Sequence, residues 1–326
     1  MPAKRQDKLL GALREAPGVF LSGERLSEEL GVTRAAIWKE VQALRAMGYE
    51  IVSSTHRGYA LQSAPDKLFS DEIQHELRTK RIGKEIFSYE SLDSTNTTAW
   101  RLGMDGVKEG ACVFAEHQKK GRGRLGRAWS SPKEKNILFS VLLRPKLAPS
   151  EVSRLTLAAG LAVVEAVKRQ TGIVLGLKWP NDVLWGDKKV CGILTEMNAE
   201  ADRVHFVVLG IGLNVNSASS DLLPQAASLR EIAEKKTARV PLARAILEEL
   251  ERFVDMVGAA QMDALCEIWE NHSLTTGRRV AATVLDRTVE GTAVGIDRDG
   301  ALWIRKDNGL QERILSGDIQ HLRGAR

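Results

Sequence analysis

The chain has 326 residues, 43% of them hydrophobic and 27% charged, a balance typical of globular proteins with a substantial core. Its formal net charge of +5 permits an acidic partner such as nucleic acid but does not require one. No apolar run is long enough to cross a membrane, residues 1–5 hold no hydrophobic signal segment, and the three cysteines lie far apart. We therefore expect a cytoplasmic protein of two or three domains, without a disulfide framework or a cysteine-based metal site.

The first predicted domain, residues 1–64, has the element order of a winged helix-turn-helix. Ser22 and Thr33 are predicted N-caps of its second and third helices, and Gly31 is predicted to end the second helix. After a leucine-rich first helix, the predicted elements lie at 22–31, 34–47, 49–52 and 58–61. The positions expected to be buried are Leu9, Leu10, Leu13, Leu26, Leu30, Ile37, Val41, Leu44 and Met47.

DNA binding is the favoured function of this first domain, and a helical interaction module that touches no DNA is the alternative. Charge does not decide between them, because residues 1–64 hold nine Lys and Arg against seven Asp and Glu, a net of +2. The positions of individual residues favour DNA binding, because small and basic residues begin the third helix and a basic residue lies at the tip of the wing. The predicted DNA-binding residues are Thr33, Arg34, Ala35, Trp38, Lys39 and Arg57. Trp38 is expected either to stack on sugar-phosphate or to pack against the wing.

The central domain is predicted at residues 65–273, after a short linker that contains Pro65. Hairpin-linked strands and bunched helices indicate an α+β fold with helices on a mixed sheet. The predicted strands lie at 85–89, 111–115, 136–143, 188–197 and 204–215, and the predicted helices at 70–77, 96–102, 151–170, 241–257 and 262–271. Ser94 is the predicted cap of the helix at 96–102.

Residues 274–326 predict a small SH3-like β-barrel. Its predicted strands lie at 279–285, 288–296, 301–306, 311–315 and 319–322, separated by turn sequences at 297–300 and 307–309. The alternative is a stabilising cap with no part in function.

The most informative stretch is the loop at residues 116–129, which follows the apolar run 111–115. It holds three glycines, three arginines and two lysines, so backbone amides and guanidinium groups can approach one anionic ligand together. A dinucleotide-binding turn should open a helix, whereas 129–132 reads Trp-Ser-Ser-Pro, and the Gly-Lys-Ser/Thr of a phosphate-binding P-loop is absent. A solvated basic loop, or one that binds nucleic acid nonspecifically, is the remaining alternative.

Three further motifs accompany this loop. Lys178 ends an apolar stretch directly before Trp-Pro, and the strand at 207–216 contains two glycines and ends in polar residues. Upstream, Asp93-Ser94-Thr95-Asn96 forms a polar turn. With the loop, they read Asp-Ser-Thr-Asn, Gly-Arg-Gly-Arg-x-Gly-Arg-x-Trp, Lys-Trp-Pro-Asn-Asp and Gly-Ile-Gly-x-Asn in chain order.

These motifs, in this order, resemble those of the biotin–protein ligases, and more closely the bifunctional bacterial type that is also the biotin operon repressor. The resemblance covers nearly the whole chain. It implies that the central mixed sheet is similar to the class II aminoacyl-tRNA synthetase core. It also implies ATP-dependent formation of biotinyl-5′-adenylate and transfer of biotin to a lysine of a biotin carboxyl carrier protein. The implied cofactors and partners are biotin, ATP, Mg²⁺, the carrier protein, operator DNA and a second copy of the chain.

The resemblance also implies roles for individual residues. Catalysis is expected of Lys178 with Arg122 and Arg124, and no metal ligand is named. The implied biotin-binding residues are Ser94, Thr95, Asn96, Gln118, Arg122, Gly123, Arg124, Lys178 and Gly192. The implied ATP-binding or adenylate-binding residues are Arg122, Arg124, Arg127, Trp129, Asn181, Gly210, Gly212 and Asn214.

Two other functions stay open at this point. One is a biotin-sensing repressor whose ligase domain is catalytically weak, against which the intact Lys178 and arginine loop argue. The other is a lipoate-type protein ligase, which shares a related core but lacks this arginine–glycine loop.

Overall fold

A computed structural model of the chain describes residues 5–284 and 287–322. The chain divides after Asp66 into two compact units, two residues from the predicted boundary at 64. The second unit contains both the central and the C-terminal strands, and the boundary at 273/274 stays a prediction. Leu285, the predicted end of one strand, lies outside the described residues.

The first unit is a winged helix-turn-helix, as predicted. Its elements are α1 (Arg5–Glu15), α2 (Gly23–Leu30), α3 (Arg34–Ala46), β1 (Glu50–Ser54) and β2 (Gly58–Ser63). The predicted caps are confirmed: Ser22 and Thr33 accept hydrogen bonds from the backbone three residues later, and Gly31 ends α2 with φ = 64°. A bridge between Leu21 and Tyr59 joins the chain before α2 to the β1–β2 hairpin. The core is the predicted leucine-rich set, with Leu30 and Met47 partly buried at its margin.

A seven-stranded mixed sheet forms the centre of the second unit, in the order β3-β4-β5-β9-β8-β7-β6. The β3–β4 pair is parallel, and the other neighbouring pairs are antiparallel. The strands are β3 (Ile86–Tyr89), β4 (Cys112–Ala115), β5 (Ile137–Leu143), β6 (Gly176–Lys178), β7 (Asp182–Trp185), β8 (Lys188–Ala199) and β9 (Val204–Leu213). This confirms the predicted α+β class.

The helices of this unit are α4 (Ser70–Gln74), α5 (Thr95–Met104), α6 (Ser153–Thr171), α7 (Leu229–Ala233), α8 (Arg239–Gly258) and α9 (Met262–Asn271). α6 packs on α8, and its small and branched residues fill the main core. Two predictions need correction. α4 ends at Gln74 rather than at residue 77, and Ser94 stands at the N-cap of α5 without donating or accepting a side-chain capping hydrogen bond.

A buried ion pair fixes the entrance to the arginine–glycine loop. Glu116, directly after β4, is 4% exposed and lies 2.5 Å from Arg239 at the start of α8. Its other oxygen accepts from the backbone N–H of Leu68 at 2.7 Å. A buried charge with several partners holds one geometry, because any alternative leaves it unpaired in a low dielectric. The loop therefore starts from a fixed point.

The C-terminal strands form one antiparallel sheet in the order β13-β12-β11-β10-β14. They are β10 (Arg279–Val284), β11 (Arg287–Ile296), β12 (Leu302–Arg305), β13 (Gln311–Ile314) and β14 (Asp318–His321). The predicted strand-rich fold is confirmed. No ladder joins β13 to β14 within the described ranges, so hydrogen bonding does not close the sheet into a ring there. None of the helices in residues 5–284 and 287–322 is long and apolar enough to span a membrane.

Candidate functional site

A cavity of about 920 Å³ opens in the second unit where the four sequence motifs meet the start of β14. It brings together every residue that the sequence placed in the biotin and ATP sites. Those lining residues are Ser94, Thr95, Asn96, Gln118, Arg122, Gly123, Arg124, Arg127, Trp129, Lys178, Asn181, Gly192, Gly210, Gly212 and Asn214. Their convergence from separate strands and loops identifies the cavity as the candidate ligand site.

One end of the cavity is a buried polar network. The Thr95 backbone N–H and hydroxyl donate to Gln118 Oε1 at 2.8 and 3.0 Å. Ser140 Oγ lies 2.8 Å from Thr95 Oγ1 and 2.6 Å from Asn96 Oδ1. With its oxygen used, the Gln118 amide nitrogen has no hydrogen-bond acceptor in the part of the chain that the structure describes, so it can donate to a ligand.

Asn96 supports this network from behind. Its amide nitrogen donates to Leu194 O at 3.2 Å and to Glu196 Oε2 at 2.7 Å. A Cβ at Gly210 would lie 2.0 Å from Asn96 Oδ1, so the close approach at Gly210 serves this side chain. Glycine at position 210 therefore leaves room for the Asn96 side chain.

At Gly212 and Gly192, the Trp129 indole occupies the space that a Cβ atom would need. A Cβ at Gly212 would lie 2.7 Å from Trp129 Cε2, and one at Gly192 would lie 3.0 Å from Cζ3. Lys189 Nζ lies 5.6 Å from the ring centroid. The indole N–H is buried without a partner among the residues described. Since the ring rests on glycine backbone and also lines the cavity, it can stack on a planar ligand group.

The arginine–glycine loop places its guanidinium groups among oxygen atoms from several elements. Arg122 donates to Thr97 Oγ1 at 3.2 Å and lies 3.5 Å from Glu196. Arg124 donates to Asn181 Oδ1 at 3.1 Å and to Gly317 O at 3.2 Å, and it lies 3.7 Å from Asp318. Arg127 is hydrogen-bonded to Asp318 as well.

The glycine motif leads into a three-residue 3₁₀ turn, Arg124–Gly126, and not into an α-helix. The dinucleotide-binding interpretation is therefore excluded, because that motif must open a helix. Within this turn Leu125 has φ = 54° and is 79% exposed. Non-glycine residues in the left-handed region are uncommon and favour functional loops.

Lys178 is the last residue of β6, and the residue after it makes two hydrogen bonds to the C-terminal part of the chain. The next backbone N–H, that of Trp179, donates to Thr275 Oγ1 at 3.1 Å, and the buried Trp179 indole donates to Gly300 O at 2.9 Å. No hydrogen bond or ion pair engages the Lys178 ammonium within residues 5–284 and 287–322. The positive charge of Lys178 also affects His321. Burial of the imidazole, followed by the charges of Lys178 and Arg278, lowers the pKa of His321 to about 4. Lys178 is thus available to an anionic ligand.

Two asparagines of the site already have protein partners. Asn181 donates to Ile193 O at 2.8 Å while accepting from Arg124. Asn214 is 3% exposed, donates to Ala227 O at 3.2 Å and accepts from Asn136 at 3.3 Å. The adenine-reading role implied for Asn214 stays a prediction.

The predicted DNA-binding residues are all exposed on the first unit. The Thr33 hydroxyl is the cap of α3, accepting from the Ala36 N–H at 3.2 Å. The Arg57 guanidinium lies 4.1 Å from the centroid of the Phe20 ring, which fixes its position beside the wing. Trp38 is 54% exposed.

Comparison with known proteins decides the family. A model of the biotin/lipoate A/B protein ligase family matches residues 88–214, an HTH domain model matches 5–60, and a biotin protein ligase C terminal domain model matches 275–322. The chain is 36% identical to the bifunctional ligase/repressor BirA of Bacillus subtilis, over 96% of this chain and 97% of that protein. The chain belongs to the biotin protein ligase family.

Other members of the biotin protein ligase family support the same placement. The chain is 30% identical to the bifunctional ligase/repressor BirA of Escherichia coli, over 96% of this chain and 95% of that protein. Its structure is similar to the biotin protein ligase from Aquifex aeolicus in complex with biotin and ATP, with a TM-score of 0.64 and 31% identity. That similarity covers 74% of this chain and 100% of the Aquifex chain.

Four residues of the ligase cavity region escaped the sequence analysis. They contact the predicted residues from α5, β5, β8 and the start of β14: Thr97, Ser140, Glu196 and Asp318. None lies in a recognisable motif. A buried serine in an apolar strand gave the only local signal, at Ser140, because a buried hydroxyl needs a partner.

Proposed function

We propose that the chain activates biotin with ATP as biotinyl-5′-adenylate, transfers the biotin to a lysine of a carboxyl carrier protein, and represses biotin genes with the adenylate as corepressor. One observation carries the ligase part. The cavity combines an unengaged ammonium, three guanidinium groups and a polar recess on one side of a mixed sheet.

In the first step a biotin carboxylate oxygen attacks the α-phosphorus of ATP, and the bond to the departing pyrophosphate breaks. Two anions must meet, so fixed positive charge contributes most where negative charge builds up. Lys178 is the catalytic residue of this proposal, because no carboxylate in the described part of the chain engages its ammonium. It contacts the carboxylate and the α-phosphate together and stabilises the pentavalent transition state.

Arg122, Arg124 and Arg127 bind the same anions after exchanging partners. In the structure they contact Glu196, Asn181 and Asp318. Half-exposed ion pairs contribute little free energy, so ligand oxygens can replace these carboxylates readily. The loop then orders over the adenylate and keeps water from the mixed anhydride.

Neutral groups hold the two ends of the adenylate. Ser94, Thr95 and Gln118 hydrogen-bond the ureido end of biotin, with Asn96 supporting them. Gly123 lets backbone approach the ligand, and Gly192 leaves room for the Trp129 ring beside it. Trp129 stacks on adenine, while Gly210, Gly212 and Asn214 shape the sheet beneath it.

In the second step the acceptor lysine, as a free amine, attacks the carbonyl carbon of the mixed anhydride. An amide forms, the bond to phosphate breaks, and AMP leaves. The arginines that bound the α-phosphate now stabilise the charge on the departing AMP.

Magnesium belongs to this proposal only as a companion of ATP, whose phosphate charge it would offset. Residues 5–284 and 287–322 contain no group of three or more His, Cys, Asp or Glu that could hold a metal ion. Phosphate oxygens and water would therefore supply most of its ligands, which is common for Mg²⁺.

Repression requires DNA contacts from Thr33, Arg34, Ala35, Trp38, Lys39 and Arg57, and it gains from a homodimer that presents two such surfaces. The strand β8 offers a place for that dimer. β8 pairs with β7 as far as Gly192. From Leu194 onward, β9 is the one strand among the described residues that pairs with β8, so the other edge of β8 has no strand partner there. An unpaired strand edge can add a strand from a second copy.

The test of the ligase proposal uses purified protein, biotin, MgATP and a biotin carboxyl carrier domain. Mass spectrometry should show one biotin added to one lysine, and none on a carrier whose target lysine is replaced by arginine. Lipoate used as readily as biotin would favour the lipoate-type alternative. Adenylate bound to the protein without any transfer would favour a sensing repressor with a weak ligase domain.

A further inference from the structure

The exposed face of α3 carries a large aromatic side chain among its predicted DNA-binding residues. Trp38 is the fifth residue of this helix and is 54% exposed. Its indole has no hydrogen bond, ring stacking or cation contact with any residue in the described ranges. A half-exposed indole on the helix proposed to enter DNA has apolar surface that it can bury against the nucleic acid.

Helix periodicity places Trp38 among side chains suited to reading DNA. Arg34 lies four residues before it and Ala35 three residues before it, so all three share one face. The opposite face is buried through Ile37, Val41 and Leu44. The helix therefore presents a basic, a small and an aromatic side chain together near its N-terminal end.

We infer that Trp38 is a specificity-determining residue that contacts the C5 methyl group of a thymine in the major groove. The inference rests on the DNA binding proposed above. Base edges in that groove present one apolar group, the thymine methyl, and apolar contact with this methyl is one of the ways in which a side chain reads a base pair. Lys39 can contact phosphate, while Trp38 shares with Arg34 and Ala35 the helix face that would meet the base edges.

The experiment begins by selecting a duplex from a randomised pool with the full-length chain, biotin and MgATP. Each thymine of the selected duplex is then replaced in turn by deoxyuridine, which lacks only the methyl group. Wild type should bind about fourfold more weakly per half-site at one position, the effect of leaving one methyl group unburied. Trp38→Ala should bind the thymine and deoxyuridine duplexes equally.

One variant identifies which part of the Trp38 indole contacts DNA, and a second variant is its control. Trp38→Phe keeps an aromatic ring without the N–H and should retain the preference for thymine. If Trp38→Phe loses affinity equally for all duplexes, the indole donates to phosphate and the inference is wrong. Trp185→Ala, which removes a tryptophan that is 45% exposed on β7, should leave the binding of every duplex unchanged.

Failure of the inference and failure of DNA binding give different results. Lys39→Ala should weaken binding to all duplexes alike and reduce its salt dependence, as expected for a phosphate contact. If Lys39→Ala acts in this way while Trp38→Ala keeps the wild-type preference for thymine, only the inference is overturned. If selection yields no duplex with related half-sites, both the DNA-binding function and the inference are overturned.

Discussion

Lys178 has an ammonium that no described carboxylate engages, and the next residue, Trp179, is held by two hydrogen bonds to the C-terminal part of the chain. Lys178→Ala should reduce the rate of adenylate formation by roughly 100-fold to 1,000-fold, as for other lost electrostatic stabilisers. Biotin affinity should fall far less. Single-turnover kinetics with direct binding measurements separate the two effects.

Lys188→Ala is the control for that experiment, because Lys188 is exposed at the β7–β8 hairpin and does not line the cavity. It should leave both quantities unchanged. Equal losses of binding and rate in Lys178→Ala would remove Lys178 from the catalytic role.

His321 gives a pH-dependent prediction at the same scale. Its folded-state pKa is lowered to about 4, below its ordinary value of 6.5, by burial and by the charges of Lys178 and Arg278. As the pH falls from 6.5 towards 4, the unfolded chain binds a proton that the folded chain does not, so stability falls. His321→Gln should reduce the loss of thermal stability between pH 7 and pH 5.

The matched control is His75→Gln, at the exposed end of α4. Its melting temperature should depend on pH as that of the wild type does. An unchanged pH dependence in His321→Gln would show that the ring titrates alike in the folded and unfolded chain.

We expect the turn between β11 and β12 to affect catalysis through the position of Lys178. Asp297 accepts from the backbone N–H groups of Asp299 and Ala301 at 2.9 and 3.1 Å, which holds the Gly300 carbonyl towards Trp179. Trp179→Phe removes this one hydrogen bond and keeps a ring in the core. We expect kcat for adenylate formation to fall roughly tenfold with little change in KM, because Lys178 loses its position rather than its charge.

A double-mutant cycle tests whether the turn and the indole act together. Asp297→Ala should lower kcat in the wild type but have little further effect in Trp179→Phe. Trp269→Phe, in the buried part of α9, controls for the loss of any buried indole. Additive effects of Trp179→Phe and Asp297→Ala would show that the turn does not position Lys178.

At the scale of the molecule, ligation and DNA binding should be thermodynamically coupled. We expect the adenylate to order the arginine loop and so to remove disorder that would oppose dimerisation, and a dimer would bind two half-sites. Biotin with ATP should therefore raise operator affinity, and by reciprocity operator DNA should tighten adenylate binding. Titrations with and without adenylate, at one stated salt concentration, measure both. Equal operator affinities would leave the ligase standing and remove the corepressor role.

The division after Asp66 adds a second expectation at this scale. The whole cavity lies in the second unit, so removing residues 1–66 should abolish repression and spare ligation. Loss of biotin transfer in this variant, with unchanged thermal stability, would contradict it.

Local features of the sequence determined the helix-turn-helix and most element positions. The caps at Ser22 and Thr33 are hydrogen bonds between neighbours in sequence, and the α3 core follows from helix periodicity, so no distant residue is needed to predict them. The arginine–glycine loop and Lys178 were found in the same way, because their chemistry is concentrated in short segments.

Only the tertiary structure decided which groups oppose the arginines and why particular glycines are needed. Asp318 lies 191 residues from Arg127, and Glu196 lies 74 residues from Arg122. Their meeting depends on strand order, which side-chain periodicity does not encode. Likewise Gly210 and Gly212 face Asn96 and Trp129, a contact made when α5 and the loop fold across β9. Hydrogen bonds between neighbours can be predicted from the sequence, whereas the partners of a side chain across a sheet are set by topology.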